Sequence, residues 1–155
     1  MQTNIETSKK QQYKVLRVVA AGVIGTMAFN AVMYADIAVT GIPLDITKAL
    51  GSIAVGDNGA DFAGYTFHFA NGVGLALLYR YVFLKISTRV TKKHLWAHGI
   101  TFAVIVTLGP VWLGMLPALG AGVAGLGISP LVPLMTILRH IAFGAVLGIL
   151  MRHKW

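Results

Sequence analysis

The chain has 155 residues, 56% of them hydrophobic and only 12% charged, with a net charge of +8 and no cysteine. Soluble domains carry about 25% charged residues, so that class is excluded, and the length leaves room for one bundle and no second domain. Without thiols, disulfides, Fe–S clusters, thiolate metal sites, a cysteine nucleophile and covalent c-type haem are excluded as well.

Residues 1–14 read as a polar N-terminal tail, expected to be mobile. Four apolar stretches follow, at about 15–40, 62–84, 95–119 and 131–151. Each has the roughly 20 residues with which a helix crosses ~30 Å of hydrocarbon. The fold expected is all-α: a polytopic membrane protein with four transmembrane helices in a single domain over 1–155. The first span follows a basic segment, as a secretory leader does. Its apolar run is about twice the 7–15 residues of a leader and no small-x-small site follows, so it is expected to be retained.

The first helix should stop before Gly41-Ile42-Pro43. Asp45 is placed to cap a short helix in which Ile46, Ala49, Leu50 and Ile53 recur at helical spacing. Such a helix either lies on the membrane surface or packs over the bundle. Gly56-Asp57-Asn58-Gly59 is turn chemistry. The second span runs to Lys85, and the third carries Gly109-Pro110, a kink unless neighbours satisfy the freed carbonyl. Trp112 suits one membrane interface, and Trp96 and Trp155 the other. Gly120-Ala121-Gly122-Val123-Ala124-Gly125 matches GxGxxG, but no strand precedes it and no acid lies about 20 residues on, so an apolar loop is expected rather than a dinucleotide site. No internal repeat supports an inverted-repeat transporter.

The basic residues follow topology rather than nucleic acid. Lys9, Lys10, Lys14 and Arg17 precede the first span; Arg80, Lys85, Arg89, Lys92 and Lys93 surround the second connection; Arg152 and Lys154 follow the last span. The first and third connections hold only Lys48, while Asp36, Asp45, Asp57 and Asp61 cluster on that side. By the positive-inside rule both termini are expected in the cytoplasm, in a multi-pass protein of the cell membrane, with anionic lipid attracted to the basic side.

Ionisable groups inside a span are costly and point to sites. Counting 1.5 Å per residue from the outer ends, Asp36 lies ~6 Å deep, His68 ~9 Å, and Arg139, His140, Asn30 and Asn71 ~12–14 Å, with Tyr34 between Asn30 and the surface. His68 and Asn71 are i,i+3 neighbours and Asn30 and Tyr34 i,i+4 neighbours, so each pair shares a helix face. A lone cation at that depth costs at least ~2.5–3.5 kcal/mol, and Asp36 is the acid nearest Arg139 in depth, so an Asp36–Arg139 ion pair is expected. That pair reads either as packing or as an anchor for an anionic group. His68 and His140, on two different helices at similar depth, read either as hydrogen-bonded packing residues or as ligands of a b-type haem or, with Asp36, of a metal ion. The small residues around them, including Gly144-x-x-x-Gly148, suit a flat cofactor or close helix packing equally. His94, His98 and His153 are expected at the cytoplasmic interface. No acid–base pair, Ser–His–Asp set, P-loop or HExxH helix is present, and no catalytic residue is assigned.

Gly25-Thr26-Met27, Gly41-Ile42-Pro43-Leu44-Asp45, His68-Phe69, Asn71-Gly72 and Leu78-Tyr79 resemble a widespread group of small, uncharacterised four-helix prokaryotic membrane proteins, over roughly residues 20–80. The resemblance implies the four-span fold and brings no activity. The function expected from the sequence is non-enzymatic: an accessory subunit packing in a larger membrane complex of the respiratory or oxidising type, or a homo-oligomer. Alternatives are a haem- or metal-binding electron carrier using His68 and His140, and a small transporter or proton pathway through Asn30, Tyr34, His68, Asn71 and Arg139.

Overall fold

The computed structural model describes residues 2–56, 58–90 and 94–151. Asp57, Lys92, Lys93, Arg152, His153, Lys154 and Trp155, used above for topology and interfaces, lie outside them. Among the described residues every regular element is a helix.

Helix α1 runs Gln2–Thr40, so the segment expected as a mobile tail continues the first helix. No glycine or proline interrupts residues 2–14, and Gln, Glu and Lys are good helix formers. The helix stops where Gly41 takes φ +68°, with the Gly41 N–H donating to Ile37 O at 2.9 Å.

Helix α2 (Ile46–Val55) starts at Asp45, whose Oδ1 accepts from the N–H groups of Thr47 at 2.9 Å and Lys48 at 3.2 Å. It packs onto the bundle: Ile46, Thr47 and Gly51 are buried, and its neighbour is α3 (Ala60–Leu78). Glycines allow that approach. A Cβ on Gly51 would overlap the Ala60 carbonyl, and one on Gly64 the Thr47 carbonyl.

The second span continues from α3 through a π-helical turn, Tyr79–Phe83, into α4 (Leu84–Val90). The third begins as α5 (Leu95–Val106), widens into a π segment over Thr107–Met115 that contains Pro110, and ends in α6 (Leu116–Ala118). Proline lacks an N–H and crowds the carbonyl one turn back; a wider turn absorbs both, and Leu116 N–H donates to Val111 O, five residues behind it. The GxGxxG segment is a compact loop with no strand before it, pinned by Gly127 N–H to Ala121 O at 2.9 Å. Helix α7 (Val132–Leu150) is the last span.

Helix α1 packs against α3 on one side and α7 on the other, and α7 packs against α5. The α5–α7 seam is built of Gly99, Gly144 and Gly148; a Cβ on Gly99 would stand 2.6 Å from the Gly148 nitrogen. The second and third spans meet near their connection through Tyr79, Phe83 and Phe102, with Phe102 ring centroids 5.4 Å and 5.2 Å from the other two. Toward the opposite end they separate, and a cavity lies there.

Candidate functional site

The intramembrane polar residues sort into separate groups. The first is the ion pair. Arg139, 1% exposed, donates from Nε to Asp36 Oδ2 at 2.7 Å, from Nη2 to Asp36 Oδ1 at 2.5 Å and from Nη1 to Leu44 O at 2.9 Å. Each guanidinium nitrogen therefore has an acceptor, two of them on one carboxylate in the fork geometry that makes such pairs strong. The pair joins α1 to α7, and the Leu44 carbonyl ties both to the first connection. Leu44 stood in the sequence only as part of the Gly41–Asp45 motif of the resemblance; its contact with Arg139 was not legible, because a backbone carbonyl carries no side-chain signal.

The second group lines a cavity of about 210 Å³ among all four spans and α2. His68 from α3 and His140 from α7 are both 8% exposed and both line it. Phe29 of α1 packs edge-on to each imidazole, centroids 4.9 Å from His68 and 5.0 Å from His140. His140 Nδ1 lies 2.8 Å from the Thr136 carbonyl. A carbonyl only accepts, so Nδ1 carries the hydrogen and Nε2 keeps its lone pair. Thr136 itself accepts from Trp112 Nε1 at 2.9 Å, which turns the Trp112 N–H toward α7. His68 Nε2 is buried with no hydrogen-bond partner. Ile46 and Leu50 of α2, Val106 and Val111 beside the kink, and Phe143 make the remaining wall apolar. Asn71 on α3 and Pro110 on the third span are both cavity-lining and exposed, so the mouth opens between the second and third spans, at the outer surface of the bundle.

Tyr34 and Asn30 stand apart from this cavity. Tyr34 shares a short hydroxyl–hydroxyl hydrogen bond with Tyr65 on α3. Asn30 is buried with Oδ1 unpaired. Of the five residues named for a pathway, His68 and Asn71 line the cavity, and Asn30, Tyr34 and Arg139 are not among its lining residues. His98, expected at an interface, is buried between α4 and α5, with Nδ1 2.7 Å from Ser87 Oγ.

The metal and haem expectations meet two obstacles. Both Asp36 oxygens are engaged by Arg139, so Asp36 cannot join the histidines around a metal, and no cluster of three or more His, Cys, Asp or Glu exists among the described residues. The cavity is of the order of an engineered ~150 Å³ cavity that takes one benzene, far short of a porphyrin, and Phe29 already lies against both imidazoles.

Four helices of this chain are long and apolar enough to cross a membrane: Gln11–Thr40, Ala60–Val90, Trp96–Ala118 and Val132–Leu150. Fold and composition together define the class: an all-helical bundle whose four long apolar helices could cross a membrane, with a small cavity among them. The chain belongs to a family described as "Family of unknown function (DUF6789)", whose profile matches residues 13–154. That match reaches well beyond the 20–80 region of the resemblance noted above and takes in Arg139 and His140. No curated protein and no solved structure matches.

Proposed function

We propose that this chain is a small non-catalytic membrane protein that binds a lipid-soluble molecule in the cavity between its second and third spans. The observation that supports this is the cavity itself: a largely apolar chamber with two imidazoles on its wall and a mouth between two of the four apolar helices. Binding sites typically combine apolar walls with a few convergent polar groups. The test is to isolate the protein in mild detergent from its native membranes, extract it with solvent, and identify small molecules held at stoichiometric amounts. Leu75 also lines the cavity, so Leu75→Trp fills it and serves as the comparison. A molecule carried by wild type and lost from Leu75→Trp supports the reading. An empty wild type that also takes up no apolar probe ends it.

A second reading, that the chain is an accessory subunit of a larger membrane complex, is favoured by the second span. Only 22% of its most apolar stretch is buried in the bundle, against 50% for the fourth, and Phe62, Tyr65 and Phe67 are exposed along it. Mass spectrometry of proteins retained in the same preparation checks it: a larger membrane protein at fixed ratio supports it, and the chain alone, or only copies of itself, counts against it.

For orientation, we propose both termini in the cytoplasm, on the strength of Lys14, Arg17, Arg80, Lys85 and Arg89 gathered at one end. The absence of native cysteine makes single-cysteine labelling direct. A cysteine at Ser87 region neighbours such as Arg89 should label only from the cytoplasm, and one at Asn58 only from outside. The reverse pattern would invert the topology.

A further inference from the structure

Resting on the reading of this cavity as a ligand site, the chemistry of its wall narrows the ligand. His140 Nδ1–H is spent on Thr136 O, which leaves its Nε2 as an acceptor. His68, which lines the same chamber, is more than nine-tenths buried, and its Nε2 has no hydrogen-bond partner. Phe29 and Phe143 give the chamber aromatic walls, and its volume is that of one or two fused rings. The exposed positions of Asn71 and Pro110 leave a mouth through which an aliphatic tail can trail into the bilayer.

We propose that the cavity takes a hydroxylated aromatic ring, the phenol or hydroquinone headgroup of a lipid-soluble compound, with its O–H donating to His140 Nε2 and His68 meeting the second polar atom. An imidazole lone pair in an apolar chamber rewards a ligand that brings a donor and penalises one that does not, because the unpaired acceptor stays desolvated. An ether, a simple hydrocarbon or a carboxylate brings no hydrogen for it.

The test is equilibrium dialysis of the detergent-solubilised full chain against β-naphthol, its isostere β-methylnaphthalene, and naphthalene, each corrected for partition into protein-free micelles. The expected result is that β-naphthol binds about tenfold more tightly than β-methylnaphthalene, the worth of one well-made buried hydrogen bond. His140→Leu should erase that preference while naphthalene binding persists, and His140→Gln, which keeps an acceptor, should restore part of it. Equal affinity of wild type for all three rings leaves the ligand site standing and overturns the donor rule. Binding of none of them overturns the ligand-site reading itself, and the proposal with it. The wild-type series decides the matter even where His140→Leu fails to fold.

Discussion

Arg139 offers the sharpest test of how the bundle is held. Replacing it with leucine removes the fork to Asp36 and the bond to Leu44 O at once, leaving a carboxylate that is 13% exposed beside α7. Breaking one side of a buried pair costs about 3–5 kcal/mol, because the survivor stays desolvated without its partner. The two single changes should differ. Arg139 is 1% exposed and Asp36 13%, so removing the acid strands the more deeply buried of the two charges. Asp36→Leu should therefore do more damage than Arg139→Leu. The double change Asp36→Leu, Arg139→Leu strands no charge and leaves only the Leu44 carbonyl without its donor, about 1–3 kcal/mol. It should be more stable than either single variant. The assay is a double-mutant cycle of equilibrium unfolding in bicelles, read by tryptophan fluorescence. A double variant whose loss equals the sum of the singles would mean that the two residues do not interact, and the account of the α1–α7 seam would be wrong.

Other consequences are equally direct. Gly99→Leu pushes a side chain into the Gly144–Gly148 backbone and should cost about 1–3 kcal/mol or abolish folding, whereas Gly109→Ala, with open space around it, should change thermal stability little. Asp45→Ala removes the cap of α2 and should cost about 1 kcal/mol. Because Ile46 and Leu50 of that helix wall the cavity, the same variant should also weaken β-naphthol binding, and unchanged affinity would show that α2 does not shape the site. Ala124 holds φ at +55°, so Ala124→Gly should raise stability by about 1 kcal/mol, measured by thermal unfolding in detergent; a drop would show that its methyl group packs for more than the backbone relief returns.

Much of the fold was legible in the linear chain because a bilayer imposes a one-dimensional rule. The Gly41-Ile42-Pro43 stop and the Asp45 cap are local properties, and each stands where residue pattern put it, whereas the helix of the second span runs past Lys85 to Val90. The extension of α1 back to Gln2 was missed because polarity was read as looseness, although polar helix formers without glycine or proline continue a helix readily. Depth along a span also came from counting, which brought Asp36 to Arg139 as the acid nearest in depth.

What counting does not contain is azimuth. Residues at one depth formed a single slab on paper, but helix rotation divides them: Tyr34 turns to Tyr65, Arg139 to Asp36 and Leu44, His68 and His140 to Phe29 and the cavity. The apolar Phe29 and the Leu44 carbonyl gave no signal at all, since their roles come from neighbours on other helices. Gly99, Gly144 and Gly148 let the third span close on the fourth, and the same span lines the cavity with Val106, Pro110, Val111 and Met115, from the last residue of α5 through the widened turn. The sequence alone determined that four helices are long and apolar enough to cross a membrane; only the packing of the helices against one another decided which polar atoms found partners and which were left without one.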